Sequence, residues 1–291
     1  MLASTRIQLH RAMEFFRPTT YTLHGVALLT ILILVSACAD STHNQAGPAP
    51  ADTMRVETRA DTVAMNAYEA LGGPNAWASL PYLRFDFASG SDTSRTLRAS
   101  HLWNRTTGDY RVEMHAGGDS TYVALFNVNT REGDVYLAGE EVEDAAEQQL
   151  LEQAYGRYIN DTYWLLMPVK MMDPGVTRTY LPDSSTSETD VLRLSFNEVG
   201  LTPGDQYWVY VDKNSGLVEK WAFRLQGHPR DHVPQPIQWV AYKTFNTPAG
   251  SIQISERKIR DGSITYTDNV DVPENVPVGA FTDPNPILQG S

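Results

Sequence analysis

The stretch Tyr207-Trp208-Val209-Tyr210-Val211-Asp212-Lys213-Asn214-Ser215-Gly216-Leu217-Val218-Glu219-Lys220-Trp221-Ala222-Phe223-Arg224-Leu225 carries the reading of the fold. Tyr207 to Val211 is a short aromatic and β-branched run, and Asp212 to Gly216 is a cluster of turn formers. Beyond the turn, Trp221, Phe223 and Leu225 alternate with Lys220, Ala222 and Arg224. A period of two on both sides of a turn predicts two antiparallel strands, each apolar on one face.

The pattern extends in both directions. Downstream, Ile237–Phe245, Ile252–Arg260 and Ile264–Val270 read as strands, and upstream so do Val176–Leu181 and Val191–Phe196. Further toward the N-terminus, Leu83, Phe85 and Phe87 alternate with Arg84 and Asp86. Leu97–Trp103 follows, and then Tyr110, Val112 and Met114 alternate with Arg111, Glu113 and His115. Gly117-Gly118-Asp119 is a hairpin turn leading into Thr121–Val128, and Asp134–Ala138 adds a short strand. The expected fold class is mainly β (α+β), with about eleven or twelve strands in an up-and-down meander.

Two segments break the period. Asp61–Leu71 carries Val63, Ala64, Ala67, Tyr68 and Leu71 on one helical stripe and ends at Gly72-Gly73; Pro74–Leu80 adds a turn with Trp77 inward. Glu141–Leu166 reads as a long helix with acidic residues at its N-terminal end, where the helix dipole favours them. Its apolar stripe runs through Ala146, Leu150, Leu151, Ala154, Tyr155, Tyr158 and Ile159. Gly156 is expected to kink or divide it, and Pro168 to stop it. Tyr163 to Met167 is apolar all round, which calls for cover on both sides.

A sheet of this many strands, greasy on one face only, twists and curls around that face. The expected architecture is therefore a single curved antiparallel sheet forming an incomplete β-barrel, with the helix Glu141–Leu166 in or across its mouth. A two-sheet sandwich is the competing arrangement.

The N-terminus has its own logic. Val26–Val35 is apolar except for Thr30, shorter than the roughly 18–20 residues of a spanning helix. It follows Arg6, Arg11 and Arg17 and runs into Leu34-Val35-Ser36-Ala37-Cys38, a lipobox. Residues 1–37 are thus expected to be a lipoprotein signal peptide, with Met1 or Met13 as its start. Cys38 would carry the lipid, residues 38–58 would form the lipidated tether, and residues 59–291 the half-barrel domain. A flexible tether of twenty residues spans on the order of 25 Å. Ala39 behind the cysteine favours the outer membrane, with the body facing the periplasm.

The chain has 291 residues and a formal charge of −12. The leader removes three arginines and one glutamate, leaving 20 basic and 34 acidic residues, net −14. That sign argues against nucleic acid and against an electrostatic hold on anionic lipid. Cys38 is the only cysteine, so no disulfide can form within the chain.

Catalytic signatures are absent: there is no His-Glu-x-x-His, Gly-x-Ser-x-Gly, phosphate loop or Cys-x-x-Cys. His228 and His232 are the only close histidines, and Pro229 between them prevents a helical ligand pair, so a solvated loop is expected. His101 alternates with Ala99 and Trp103 and reads as a satisfied core histidine. The chain is expected to be a non-enzyme without cofactor or metal, and a monomer. Its aromatic supply stands out: Trp103, Phe126, Trp164, Trp208, Trp221, Phe223 and Trp239 would line an apolar cavity between sheet and helix.

At Tyr163–Pro168, Asp173–Val176 and Val199–Trp208 the chain resembles an uncharacterised family of bacterial, Bacteroidetes-type lipoproteins, from about Val63 to Val270. That family in turn looks like the outer-membrane lipoprotein carriers LolA and LolB. The resemblance implies an incomplete barrel with helices as a lid over a hydrophobic cavity. It further implies binding or shuttling of a lipid, acyl chain or lipidated partner. LolB-type receptors use an exposed apolar residue on an early hairpin loop. The comparable turn here, Ala116–Asp119, has none, and Leu201 is a conceivable substitute. A filled-core envelope scaffold remains the alternative, and a hydrolase with a dispersed site a third.

Overall fold

The computed structural model describes residues 54–115, 120–196, 202, 204–229 and 231–288. Cys38, the leader, most of the tether, the hairpin turn at Ala116–Asp119 and Leu201 lie outside the described residues. Two short helices open the domain: α1, Arg59–Ala70, and α2, Gly73–Ala78. Thr58 and Asp61 cap α1 reciprocally, the Thr58 hydroxyl accepting from the Asp61 amide and the Asp61 carboxylate from the Thr58 amide. Gly72 joins the helices at a φ of 110°, where a Cβ would meet the Ser251 carbonyl oxygen at 2.2 Å. Only glycine permits both that backbone and that approach.

Thirteen strands follow. β1 to β6 are Tyr82–Ser91, Ser94–Asn104, Asp109–His115, Thr121–Asn127, Gly133–Leu137 and Glu140–Glu141. Helix α3, Asp144–Lys170, intervenes. β7 to β13 are Val176–Tyr180, Thr189–Phe196, Gln206–Asp212, Val218–Arg224, Ile237–Thr247, Gly250–Arg260 and Ser263–Asp271. All pair antiparallel in one unclosed sheet, in the order β6-β5-β4-β3-β2-β1-β13-β12-β11-β10-β9-β8-β7. The curved, incomplete barrel expected from the sequence is observed, with one strand more than expected. The extra one is the two-residue β6, cut from what reads as the start of the long helix.

The order refines the simple meander. β1 pairs with β13, Phe87 facing Thr267 and Ala88 facing Tyr266, so two meanders meet at the centre of the sheet. Its free edges are β6 and β7, and α3 is the connection from one edge to the other. The ladder narrows to two register pairs between β10 and β11, Lys220↔Gln238 and Trp221↔Ile237, as it does at the edge pair β5–β6.

Helix α3 runs unbroken through Gly156, and Pro168 lies inside it. Proline's missing N–H deprives only the Trp164 carbonyl, and two residues later the helix ends, so the cost falls on a final turn that would fray anyway. No helix among the described residues is long and apolar enough to cross a membrane.

The concave face holds the main core: Leu83 and Phe85 of β1, Val112 of β3, Leu192 and Leu194 of β8, Val209 of β9, and Ile252 and Ile254 of β12, beneath Leu165, Leu166 and Met167 of α3. The convex face of β1–β3 departs from expectation. Arg84, Asp86, Arg111 and Glu113 alternate with apolar residues as solvent-facing side chains would, yet Arg111 and Glu113 are fully buried. The segment after β13 covers them, seating Ala280 and Leu288 on Leu102. Arg111 donates to Glu113 Oε1 at 2.8 Å and to the Asp283 carbonyl at 2.8 Å, and also to the Asn285 carbonyl. Glu113 Oε1 in turn accepts the amides of Ile287 and Leu288 at 2.7 and 3.0 Å. The tail's backbone is bonded to a buried ion pair, which is how these charges escape the penalty of burial.

Candidate functional site

The roof of the concave face is α3, and the aromatic residues sort into two nests beneath it. In the first, Trp103 of β2, Tyr110 of β3 and Phe126 of β4 meet Tyr155 and Tyr158 of α3, with Tyr110 and Tyr158 edge to face at 4.9 Å. In the second, Trp221 and Phe223 of β10 and Trp239 of β11 meet Tyr163 and Trp164 of α3, joined by Tyr207 of β9. Trp164 stands edge to face on Trp221 at 4.8 Å, and Trp221 on Trp239 at 5.4 Å. Six of the seven aromatics named from the sequence are therefore on the inner side. Trp208 is the exception. The register that sends Tyr207 and Val209 inward turns it to the convex face, where the Arg224 guanidinium lies 6.0 Å from its ring.

The interior differs from the expected open cavity. Trp103 and Trp221 are each 1% exposed and Trp239 3%, so all three are part of a solid core. A void between α1, α2, α3 and strands β11 and β12 measures about 10 Å³. That is the room of a single water molecule, far below the roughly 300–1,000 Å³ of a small-molecule pocket. Its lining includes Leu165, Leu166 and Val169 from α3, and Trp239 and Ser255 from the sheet. The helix side chains fill the space between the roof and the sheet.

Polar groups under the roof were largely invisible in the sequence. Asp161 of α3 is fully buried, its Oδ2 accepting from His101 Nε2 at 3.2 Å and its Oδ1 from the Asn160 amide at 2.7 Å. His101 Nδ1 accepts from the Tyr110 hydroxyl at 2.9 Å, and Phe85 stacks on the imidazole at 4.4 Å. A carboxylate only accepts, which assigns the proton to Nε2. Burial, with the Asp161 charge nearby, pushes the Tyr110 phenol well above its usual range, so it remains the donor. Arg157, one turn before Asp161, supplies a cation at 3.6 Å. His101 is a satisfied core histidine, and its partner is the roof: this chain is the polar latch between α3 and the middle of the sheet.

Lys258 of β12 is a second buried polar group. Its period-two relation to Ile252 and Ile254 was the available signal. Its ammonium donates to the Ser255 carbonyl at 2.7 Å and the Thr267 hydroxyl at 2.6 Å, and lies 4.4 Å from the Trp239 ring centre. Burial holds it well below the ordinary lysine range, only partly opposed by Glu256 and Asp268. At the other end, Arg105 donates to the Trp77 and Leu80 carbonyls and faces Trp103; burial lowers it to about 10.

The indole N–H groups of Trp103, Trp221 and Trp239 are buried without an acceptor among the described residues. Each such donor costs roughly 1–3 kcal/mol. The interior is thus rich in donors and poor in acceptors. His228 and His232 lie in their loop with ring centres 4.2 Å apart and planes tilted by 47°, and no third ligand group joins them among the described residues.

No protein-family model and no curated protein matches this sequence. Solved structures do show similarity. One is a DUF1329 family protein from Desulfovibrio piger, 10% identical with a TM-score of 0.41, covering 77% of this chain and 98% of that one. A second is a LolA superfamily protein from Nitrosomonas europaea, 11% identical with a TM-score of 0.36, covering 78% and 98%. A third is a putative outer membrane lipoprotein-sorting protein domain from Vibrio parahaemolyticus, 9% identical with a TM-score of 0.40, covering 76% and 95%.

Proposed function

We propose that this chain is a monomeric, lipid-anchored protein of the cell envelope that binds an acyl chain, of a lipid or of a lipidated partner, beneath α3. One observation carries the reading: a single helix, joining the two free edges of the sheet, roofs the apolar concave face. Lifting that helix opens the interior without breaking any strand pairing. Its seat is adaptable, because Met167, Met171 and Met172 and the aromatic nests can repack around a guest. In this reading the role is non-catalytic, with the buried Tyr110–His101–Asp161 chain holding the roof. On the same reading the lipid on Cys38 anchors the body, Ala39 favours the outer membrane with the body facing the periplasm, and Cys38→Ser is expected to release it into the soluble fraction.

The solid interior favours a second reading, an envelope scaffold that works through its surface. Native mass spectrometry of the full-length protein separates the two. An acyl adduct beyond the Cys38 anchor, before or after incubation with palmitate, is the expected result. Only the polypeptide and its anchor, after loading, would leave the scaffold reading standing.

A further inference from the structure

Two indole donors under the C-terminal half of α3 have no acceptor among the described residues. Trp221 and Trp239 stand edge to face, and neither indole N–H has a partner. Lys258 lies against Trp239 with no carboxylate hydrogen-bonded to it, held by one carbonyl and one hydroxyl. The small void beside Trp239 and Ser255 adjoins this group, and Leu165, Leu166 and Val169 of the roof close it. A hydrocarbon tail alone would leave both indole donors unsatisfied and Lys258 without a hydrogen-bonded anion. An oxygen-bearing anionic head would satisfy them together, and the low dielectric around it would strengthen each bond.

From this geometry we infer that the guest is an acyl amphiphile with an anionic oxygen head, a carboxylate or a phosphate, seated against Lys258, Trp239 and Trp221. This rests on the acyl-binding reading above and adds to it the end of the molecule that is recognised. The tail takes the space that Leu165 and Leu166 vacate, and the head stays at the floor. Lys258 then acquires the counter-charge that its burial has denied it, and the indole donors acquire acceptors. The loop pair His228–His232 and the surface carboxylates Asp134, Glu141 and the half-buried Glu147 take no part.

The test compares three probes of equal tail length on the purified full-length protein: palmitate, hexadecyl phosphate and uncharged hexadecanol. Binding is read by tryptophan fluorescence and checked by native mass spectrometry. At least one anionic probe is expected to bind about tenfold or more tightly than hexadecanol, the margin of a charge-assisted hydrogen bond. Which of the two anions wins identifies the head. Lys258→Met should erase that margin while leaving hexadecanol affinity in place, and Trp239→Phe, which removes the N–H and keeps a ring, should cut it several-fold. Trp239→Phe decides the matter if Lys258→Met does not melt cooperatively. Equal binding of all three probes, or a margin that survives both substitutions, overturns the head-group inference and leaves acyl binding intact. No binding of any probe overturns the acyl reading itself, and this inference with it.

Discussion

Replacing Asp161 by leucine tests whether the roof is latched as the geometry indicates. The substitution removes the acceptor at 3.2 Å from His101 Nε2 and leaves that N–H fully buried with nothing to receive it. One orphaned buried donor costs about 1–3 kcal/mol, the upper end applying where the lost acceptor was a carboxylate. Arg157 is about one-third exposed and can turn to solvent, so its loss adds little. We therefore expect a loss of roughly 1–3 kcal/mol in urea unfolding with an unchanged slope. That is a large share of the 5–15 kcal/mol typical of a domain. Hydrogen exchange should rise along residues 144–170 more than in β1–β4, because the broken contact is the roof's and not the sheet's. The double variant His101→Phe with Asp161→Leu replaces both partners by apolar groups and should cost less than the sum of the singles, with a coupling of about 1–3 kcal/mol. An Asp161→Leu protein within about 0.5 kcal/mol of wild type, with exchange in α3 unaltered, would refute the latch.

Three further outcomes follow from other parts of the molecule. Arg111→Met strips the tail of its guanidinium partner and leaves the Glu113 charge buried. A destabilisation of about 3–5 kcal/mol is expected, with limited proteolysis cutting first within residues 272–288. Gly156→Ala should stabilise by about 0.5–1 kcal/mol, read as a higher urea midpoint. A Cβ there meets no atom within 4 Å, and the helix is continuous through the position. Burial alone would raise the Asp61 carboxyl, but bonds from the Arg178 guanidinium, the Thr58 hydroxyl and two amides outweigh it and hold the group below the usual aspartate range. A depressed folded value means stability that is present above the unfolded value near pH 4 and is lost as pH falls through the folded one. Asp61→Asn should accordingly flatten the stability-against-pH curve below about pH 4 while lowering stability at pH 7; an acid limb identical to wild type would contradict that role.

The site was legible in part. Periodicity put Trp103, Phe126, Trp221, Phe223 and Trp239 on the inner face and Trp164 on the helix above them, because alternation along a strand has only two outcomes. It failed for Trp208, whose neighbours on both sides are also large and apolar, so composition gave no hint of which set faced in. Asp161 sits on a turn of α3 between Tyr158 and Leu165, a charge inside an apolar stripe, and that was a readable sign of a buried partner. Which partner it had was not readable, since His101 lies 60 residues away.

Local chemistry alone determined the strands, the helices and the one-sided greasiness that makes the sheet curl. Those depend on neighbours within a few residues, where dihedral preference and side-chain alternation act. Tertiary structure decided what lies across from what. The β1–β13 pairing joins residues about 180 positions apart, and nothing in either strand names the other. The same holds for the convex face, where Arg111 and Glu113 alternate as surface charges should and are buried because a distant tail folds over them. Whether the interior is hollow or full was likewise settled in three dimensions. Alternation fixes which side chains point inward, but only the separation of helix and sheet sets how much space they must fill.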